Sequence, residues 1–80
     1  MLYFIEVVLP LAVSKTFTYQ VSEAEFHYIQ IGMRVAVPFG KTKIYTALVL
    51  DKNNTPPQLY EAKEIHQILD EKPVVNLHQI

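Results

Sequence analysis

Apolar side chains run almost without a break through the first nine residues. From Leu2 to Leu9 only Glu6 interrupts them, the pattern of a strand covered on both faces or wrapped into a barrel. Pro10 closes the run, because proline has no N–H to give to a sheet ladder. Alternation then becomes clean. Phe17, Tyr19 and Val21 fall on one face and Thr16, Thr18 and Gln20 on the other, which predicts a half-buried strand from Thr16 to Val21. Ser22 and Glu25 stand at capping-box spacing, so the stretch from Ser22 to Gln30 holds at most a short helical turn. Ile31-Gly32 marks a turn. Met33, Val35, Val37 and Phe39 then share a face, and Gly40-Lys41 separates this run from another, Lys43 to Leu50. The two form a hairpin with a glycine-containing loop.

The segment from Asp51 to Gln58, Asp-Lys-Asn-Asn-Thr-Pro-Pro-Gln, is the strongest loop signal in the chain. Beyond it, Leu59, Ala62, Ile65 or His66, and Leu69 recur at helical spacing, and periodicity alone predicts a helix from Tyr60 to Asp70. After Pro73 the chain turns apolar and stops. Residues 73–80 therefore read as a linker or the start of a further element of a longer chain, and residues 1–72 as one β-rich domain. Four or five short strands favour an architecture that hides its sheet edges. The expected fold is mostly all-β, a small antiparallel β-barrel of OB- or SH3-like type with at most a short helical turn.

Composition narrows the function. A chain of 80 residues buries only about 60% of the surface its unfolded form exposes, so there is one thin core and no second lobe to close over a substrate. Apolar residues make up 50% and charged residues 19%, and the net charge is −1, a balance that excludes intrinsic disorder. No apolar run approaches the about 18 residues of a membrane span. The stretch from Met1 to Val13 contains Glu6 and lacks a basic start or a small-residue cleavage site, so it is not a signal peptide. With no cysteine there is no disulfide framework and no thiolate metal site. These features predict a soluble, cytoplasmic module without a membrane partner.

Catalysis finds little support. Neither phosphate-loop nor dinucleotide glycine motifs are present. Ser14 and Ser22 lack the small-residue elbow of a nucleophile. His27, His66 and His78 stand far apart and at no zinc-motif spacing. Glu61, Glu64, Asp70 and Glu71, mixed with Lys63 and Lys72, read as a solvated face. The chain is expected to be no enzyme and to hold no metal or cofactor.

Charge is nonetheless uneven. Arg34, Lys41, Lys43 and Lys52 face a single nearby acid, Asp51, and exposed-looking Phe39 and Tyr45 and the Phe17-Thr18-Tyr19 triplet accompany them. An aromatic beside a basic loop on a small barrel grips single-stranded nucleic acid by stacking. The same aromatics also suit a core, and the slightly acidic whole speaks against a protein that wraps a duplex. The alternative is a protein-interaction module, an SH3-like barrel whose aromatic groove takes a peptide.

A series of segments in order is more specific: Val8-Leu9-Pro10-Leu11, Lys15-Thr16-Phe17-Thr18-Tyr19, the run from Ile31 to Lys41 containing Gly-Met-Arg-Val-Ala-Val-Pro-Phe-Gly, and the stretch from Ala62 to Val74. Together they resemble the amino-terminal domain of the primosomal replication-restart helicases, the PriA family. That resemblance implies a compact β-rich module that binds the 3′ end of single-stranded DNA, at a stalled fork the nascent leading strand. It also implies an extended conformation for residues 60–70, which takes precedence over the helical spacing. A winged helix, two ATP-using helicase lobes and a zinc region lie further along such proteins. Other primosome proteins and single-strand DNA-binding protein are partners of the full-length protein.

Carried over by position, the pocket for the terminal nucleotide falls on Phe17, Thr18, Gly40 and Lys63, with Tyr19, Phe39 and Lys41 as supporting contacts. By this resemblance Thr18 stands where the family has an aspartate, which puts any contact through that carboxylate in question, while a hydroxyl and the local backbone still offer hydrogen bonds. Gly40 would allow close backbone approach, Lys63 would meet the penultimate phosphate, and Phe17 would offer a ring face. A small pocket around the last sugar would reject a strand that continues past it.

Overall fold

The computed structural model describes residues 1–11, 15–58 and 60–73. The linker expected over 73–80 lies, beyond Pro73, outside the described residues, as do Ser14 and His78. In chain order the elements are β1 (Tyr3–Val8), β2 (Phe17–Val21), α1 (Glu23–Tyr28), β3 (Arg34–Phe39), β4 (Lys43–Asn53) and β5 (Gln67–Ile68). The strands form one sheet in the order β2-β1-β4-β3-β5, and every ladder is antiparallel. The domain is all-β with one short helix, as expected.

Register explains the core. Ile5 pairs with Tyr19 and Val7 with Phe17, while Val35 pairs with Ala47 and Val37 with Tyr45. Directly opposed residues share a face, so the apolar members of each alternating strand converge. Ile5, Val7, Leu9, Tyr19, Val21, Val35, Val37, Ala47 and Val49 are buried together there. The ladder between β1 and β4 slips at Glu6/Val7, where Glu6 opposes Asp51 and Val7 opposes Val49. Leu50 is thereby left over as a bulge, and β4 continues to Asn53, three residues into the stretch whose composition marks a loop.

The helix is only six residues long, too short to persist by itself. Its start is fixed by the expected capping box: Ser22 N–H donates to Glu25 Oε1 at 2.8 Å and Glu25 N–H donates to Ser22 Oγ at 3.1 Å. Tertiary contacts hold the rest. Phe26 packs on Tyr3 with ring centroids 4.9 Å apart, and Lys52 Nζ lies 4.8 Å above the Phe26 ring while donating to the Phe26 carbonyl at 2.9 Å. Just past the helix, Ile29 inserts into the core fully buried.

Two readings are corrected, the helix suggested by periodicity alone and the closed barrel. Residues 60–70 form no helix and are extended, as the resemblance implied. Gln20 N–H donates to Lys63 C=O at 2.8 Å, His66 N–H to Ala36 C=O at 2.7 Å and Leu69 N–H to Arg34 C=O at 3.0 Å. A helix would have satisfied its own backbone and left the outer edges of β2 and β3 unpaired; an extended strap satisfies both edges at once. Ile65, one of the residues that mimicked helical spacing, and Ile68 pack against the core from this strap. The second correction concerns the barrel, which does not close. One parallel bridge, Gln20↔Glu64, joins β2 to the strap, and β5, two residues long, is too short to build a ladder on both sides. The result is an open sheet whose two edges are stitched by one segment.

Candidate functional site

Before the strap meets Gln20 it stands away from β2, and the seam there opens into a cleft of about 340 Å³. Its walls are Lys15 to Tyr19 on the β2 side, Pro38, Phe39 and Gly40 at the tip of β3, and Tyr60, Glu61 and Lys63 on the strap. Three remote stretches of chain thus build one concavity. Tyr19 ties two of them together, its hydroxyl donating across the seam to the Pro38 carbonyl at 2.8 Å. Burial, with a smaller contribution from Tyr60, pushes the Tyr19 phenol above its ordinary range, so it stays a protonated donor. The third stretch is tied by Tyr60, whose hydroxyl accepts the Thr18 N–H at 2.9 Å. This is an edge-strand N–H that no neighbouring strand could satisfy.

At the other end of the cleft Lys63 Nζ donates to the Gly40 carbonyl at 3.2 Å. Gly40 has a φ of +72°, the left-handed conformation in which a side chain is strained. A Cβ placed there would meet nothing within 4 Å, so conformation, and not crowding, selects glycine. The floor is aromatic. Phe17 and Phe39 meet edge to face with centroids 5.2 Å apart, Phe39 and Tyr45 meet at 5.8 Å, and Lys15 Nζ lies 5.0 Å over the Phe17 ring.

The structure brings Phe17, Thr18, Gly40 and Lys63 into this single cleft, along with Tyr19 and Phe39. Lys41 is exposed beside Gly40 and is not part of the lining. Four readings change. Thr18, placed on the polar face by alternation, is buried, and its hydroxyl donates to the Glu6 carboxylate directly across from it in the β1–β2 ladder. Phe39 and Tyr45 are packed partly into the core, not free on the surface. The basic cluster divides: Arg34 forms a two-pronged pair with Asp70 and Lys52 anchors α1, which leaves the hairpin lysines Lys41 and Lys43 exposed. The acidic cluster divides likewise, Asp70 going to Arg34 and Glu61 to the cleft.

Lys15, Tyr60 and Glu61 escaped the sequence reading. Lys15 directly precedes the aromatic triplet, and reading residues 60–70 as extended sets Glu61 beside Lys63 by two-residue alternation. No sequence signal placed Tyr60 against Thr18.

An open β-sheet with an aromatic cleft guarded by lysines is the frame of a small binding module. The comparison with protein families agrees: residues 6–80 match the model of the PriA 3′ DNA-binding domain (3′BD). The chain belongs to that family of 3′ DNA-binding domains. No curated protein and no solved structure gives a significant match.

Proposed function

We propose that the cleft receives the last nucleotide of a single DNA strand at its 3′ end. In this reading the module is the amino-terminal part of a cytoplasmic replication-restart helicase and captures the nascent leading strand at stalled forks. The observation that carries the reading is the convergence of Phe17, Thr18, Gly40 and Lys63 on one cleft. The parts act differently. The Phe17 and Phe39 rings supply apolar surface for the terminal base or sugar. The main-chain carbonyls of Thr18 and Gly40 offer hydrogen-bond acceptors that do not depend on base identity, which suits a factor that must act at any sequence. Lys63 exchanges its weak bond to a carbonyl for a charge-assisted one to the phosphate before the last sugar.

The bond between Tyr19 and Pro38 and the bridge from β2 to the strap tie the walls of the cleft together, and in this reading its small size excludes a strand that continues past the last sugar. Affinity from one or two nucleotides is modest, about 1–3 kcal/mol per stacked base, and the DNA-binding parts further along the parent protein would add to it by linkage. ATP, zinc, other primosome proteins and single-strand DNA-binding protein belong in this reading to the parent protein.

Fluorescence anisotropy with short labelled oligonucleotides tests the proposal. A 3′-hydroxyl strand should bind more tightly than the same strand carrying a 3′-phosphate, and binding should weaken with salt. Equal affinity for both ends would overturn end recognition. A partner peptide bound with indifference to salt and to the 3′ terminus would point instead to an interaction module.

A further inference from the structure

Inside the cleft the charges are of both signs. Lys15 and Lys63 are its cations, and Glu61 is the only carboxylate of its lining. Among the described residues Glu61 has no hydrogen-bond or ion-pair partner, although Lys63 stands two positions further along the same strap. It is exposed and makes no contribution to the core. Nothing in the fold therefore explains a carboxylate there, and in a cleft meant only to attract a polyanion it is misplaced.

The neighbouring polar side chain is already occupied. Thr18 turns its hydroxyl to Glu6, which lies outside the cleft lining. The Thr18 N–H is taken by Tyr60, and the Tyr19 hydroxyl is taken by Pro38. Of the described side chains around the cleft, Glu61 is thus the one free carboxylate, and the exposed Thr16 hydroxyl is the other polar group without a partner. A carboxylate accepts strongly from a hydroxyl and repels a phosphate, which carries close to two negative charges at neutral pH.

We infer that Glu61 is the specificity-determining residue of the cleft, accepting a hydrogen bond from the terminal 3′-hydroxyl and rejecting a 3′-phosphate by charge. This rests on the 3′-end reading and gives it an electrostatic basis besides the small size of the cleft. Lys63 and Glu61 then have complementary roles, the cation holding the internal phosphate while the anion inspects the end.

The test compares the 80-residue chain with its Glu61→Gln variant on three oligonucleotides of one sequence, ending in a 3′-hydroxyl, a 3′-phosphate or a 2′,3′-dideoxy sugar. The parent should prefer the hydroxyl end over both others. Glu61→Gln should weaken binding of the hydroxyl end and strengthen binding of the phosphate end, each by about fivefold, the scale of one partly screened charge contact. Opposite signs on two ligands cannot arise from damage to the fold. In a Glu61→Ala variant, which has no acceptor at this position, the dideoxy end should bind nearly as well as the hydroxyl end. An unchanged preference in Glu61→Gln would overturn the role of Glu61 while leaving the 3′-end reading in place. A parent that binds all three ends alike would overturn both.

Discussion

Thr18 and Glu6 face one another across the first two strands, and the threonine hydroxyl donates to the glutamate carboxylate. This pairing gives a physical reason for the departure at position 18. An aspartate there would stand directly opposite another carboxylate at a buried site, and like charges directly opposed destabilise a sheet. With threonine the pair is complementary, and the cleft draws on the backbone of Thr18.

The substitution Thr18→Asp should therefore destabilise the domain by about 1–3 kcal/mol, the cost of a buried polar group without a suitable partner. Adding Glu6→Gln to Thr18→Asp should recover most of the loss. Urea denaturation of the single and double variants measures both. A Thr18→Asp protein as stable as the parent would show that Glu6 does not constrain this position.

Lys63→Ala should leave the fold nearly untouched, because the side chain is exposed and gives up a single bond to a carbonyl. Its affinity for a 3′-hydroxyl strand should drop about tenfold, or about 1.4 kcal/mol. The slope of log affinity against log salt should shrink by about 0.7, the contribution of one single-strand phosphate. Anisotropy titrations at several salt concentrations read both quantities, and an unchanged slope would place the phosphate elsewhere.

At Gly40 conformation and binding can be separated. Gly40→Ala should cost about 1–2 kcal/mol, because φ is +72° and a Cβ is strained there although the space around it is open. Gly40→Asn should cost less, since asparagine tolerates the left-handed region better. Thermal unfolding ranks the two variants, and equal stability of all three proteins would mean that the turn relaxes.

The pair between Arg34 and Asp70 anchors the end of the strap to β3. Hydrogen bonds from the Arg34 guanidinium, aided by its N–H and its charge, hold the Asp70 carboxyl below its ordinary value of 3.8. A carboxyl with a depressed folded-state pKa stabilises the fold above its unfolded-state value, and that contribution is lost as pH falls through the folded-state value. The stability gap between parent and Asp70→Asn should thus be open at neutral pH and close below about pH 3.8. Denaturation at neutral pH and at about pH 2 checks this; a constant gap would mean that charge on Asp70 is immaterial.

Strands β1 to β4, the capped helical turn and the hairpin around Gly40 were all legible in the sequence, because each is written in local alternation, capping chemistry or turn residues. Residues 60–70 were not legible from periodicity. Their apolar spacing favours a helix, and that preference was overridden by two unpaired sheet edges that lie far away in sequence. The cleft was legible only in part. Resemblance placed Phe17, Gly40 and Lys63, and those residues do meet, but the contacts of Tyr60 with Thr18, of Thr18 with Glu6, and the lone carboxylate of Glu61 depend on which strands become neighbours. Alternation along a strand determines which side chains share a face. Register and edge pairing determine what those faces meet, and that is long-range information which only the folded chain holds.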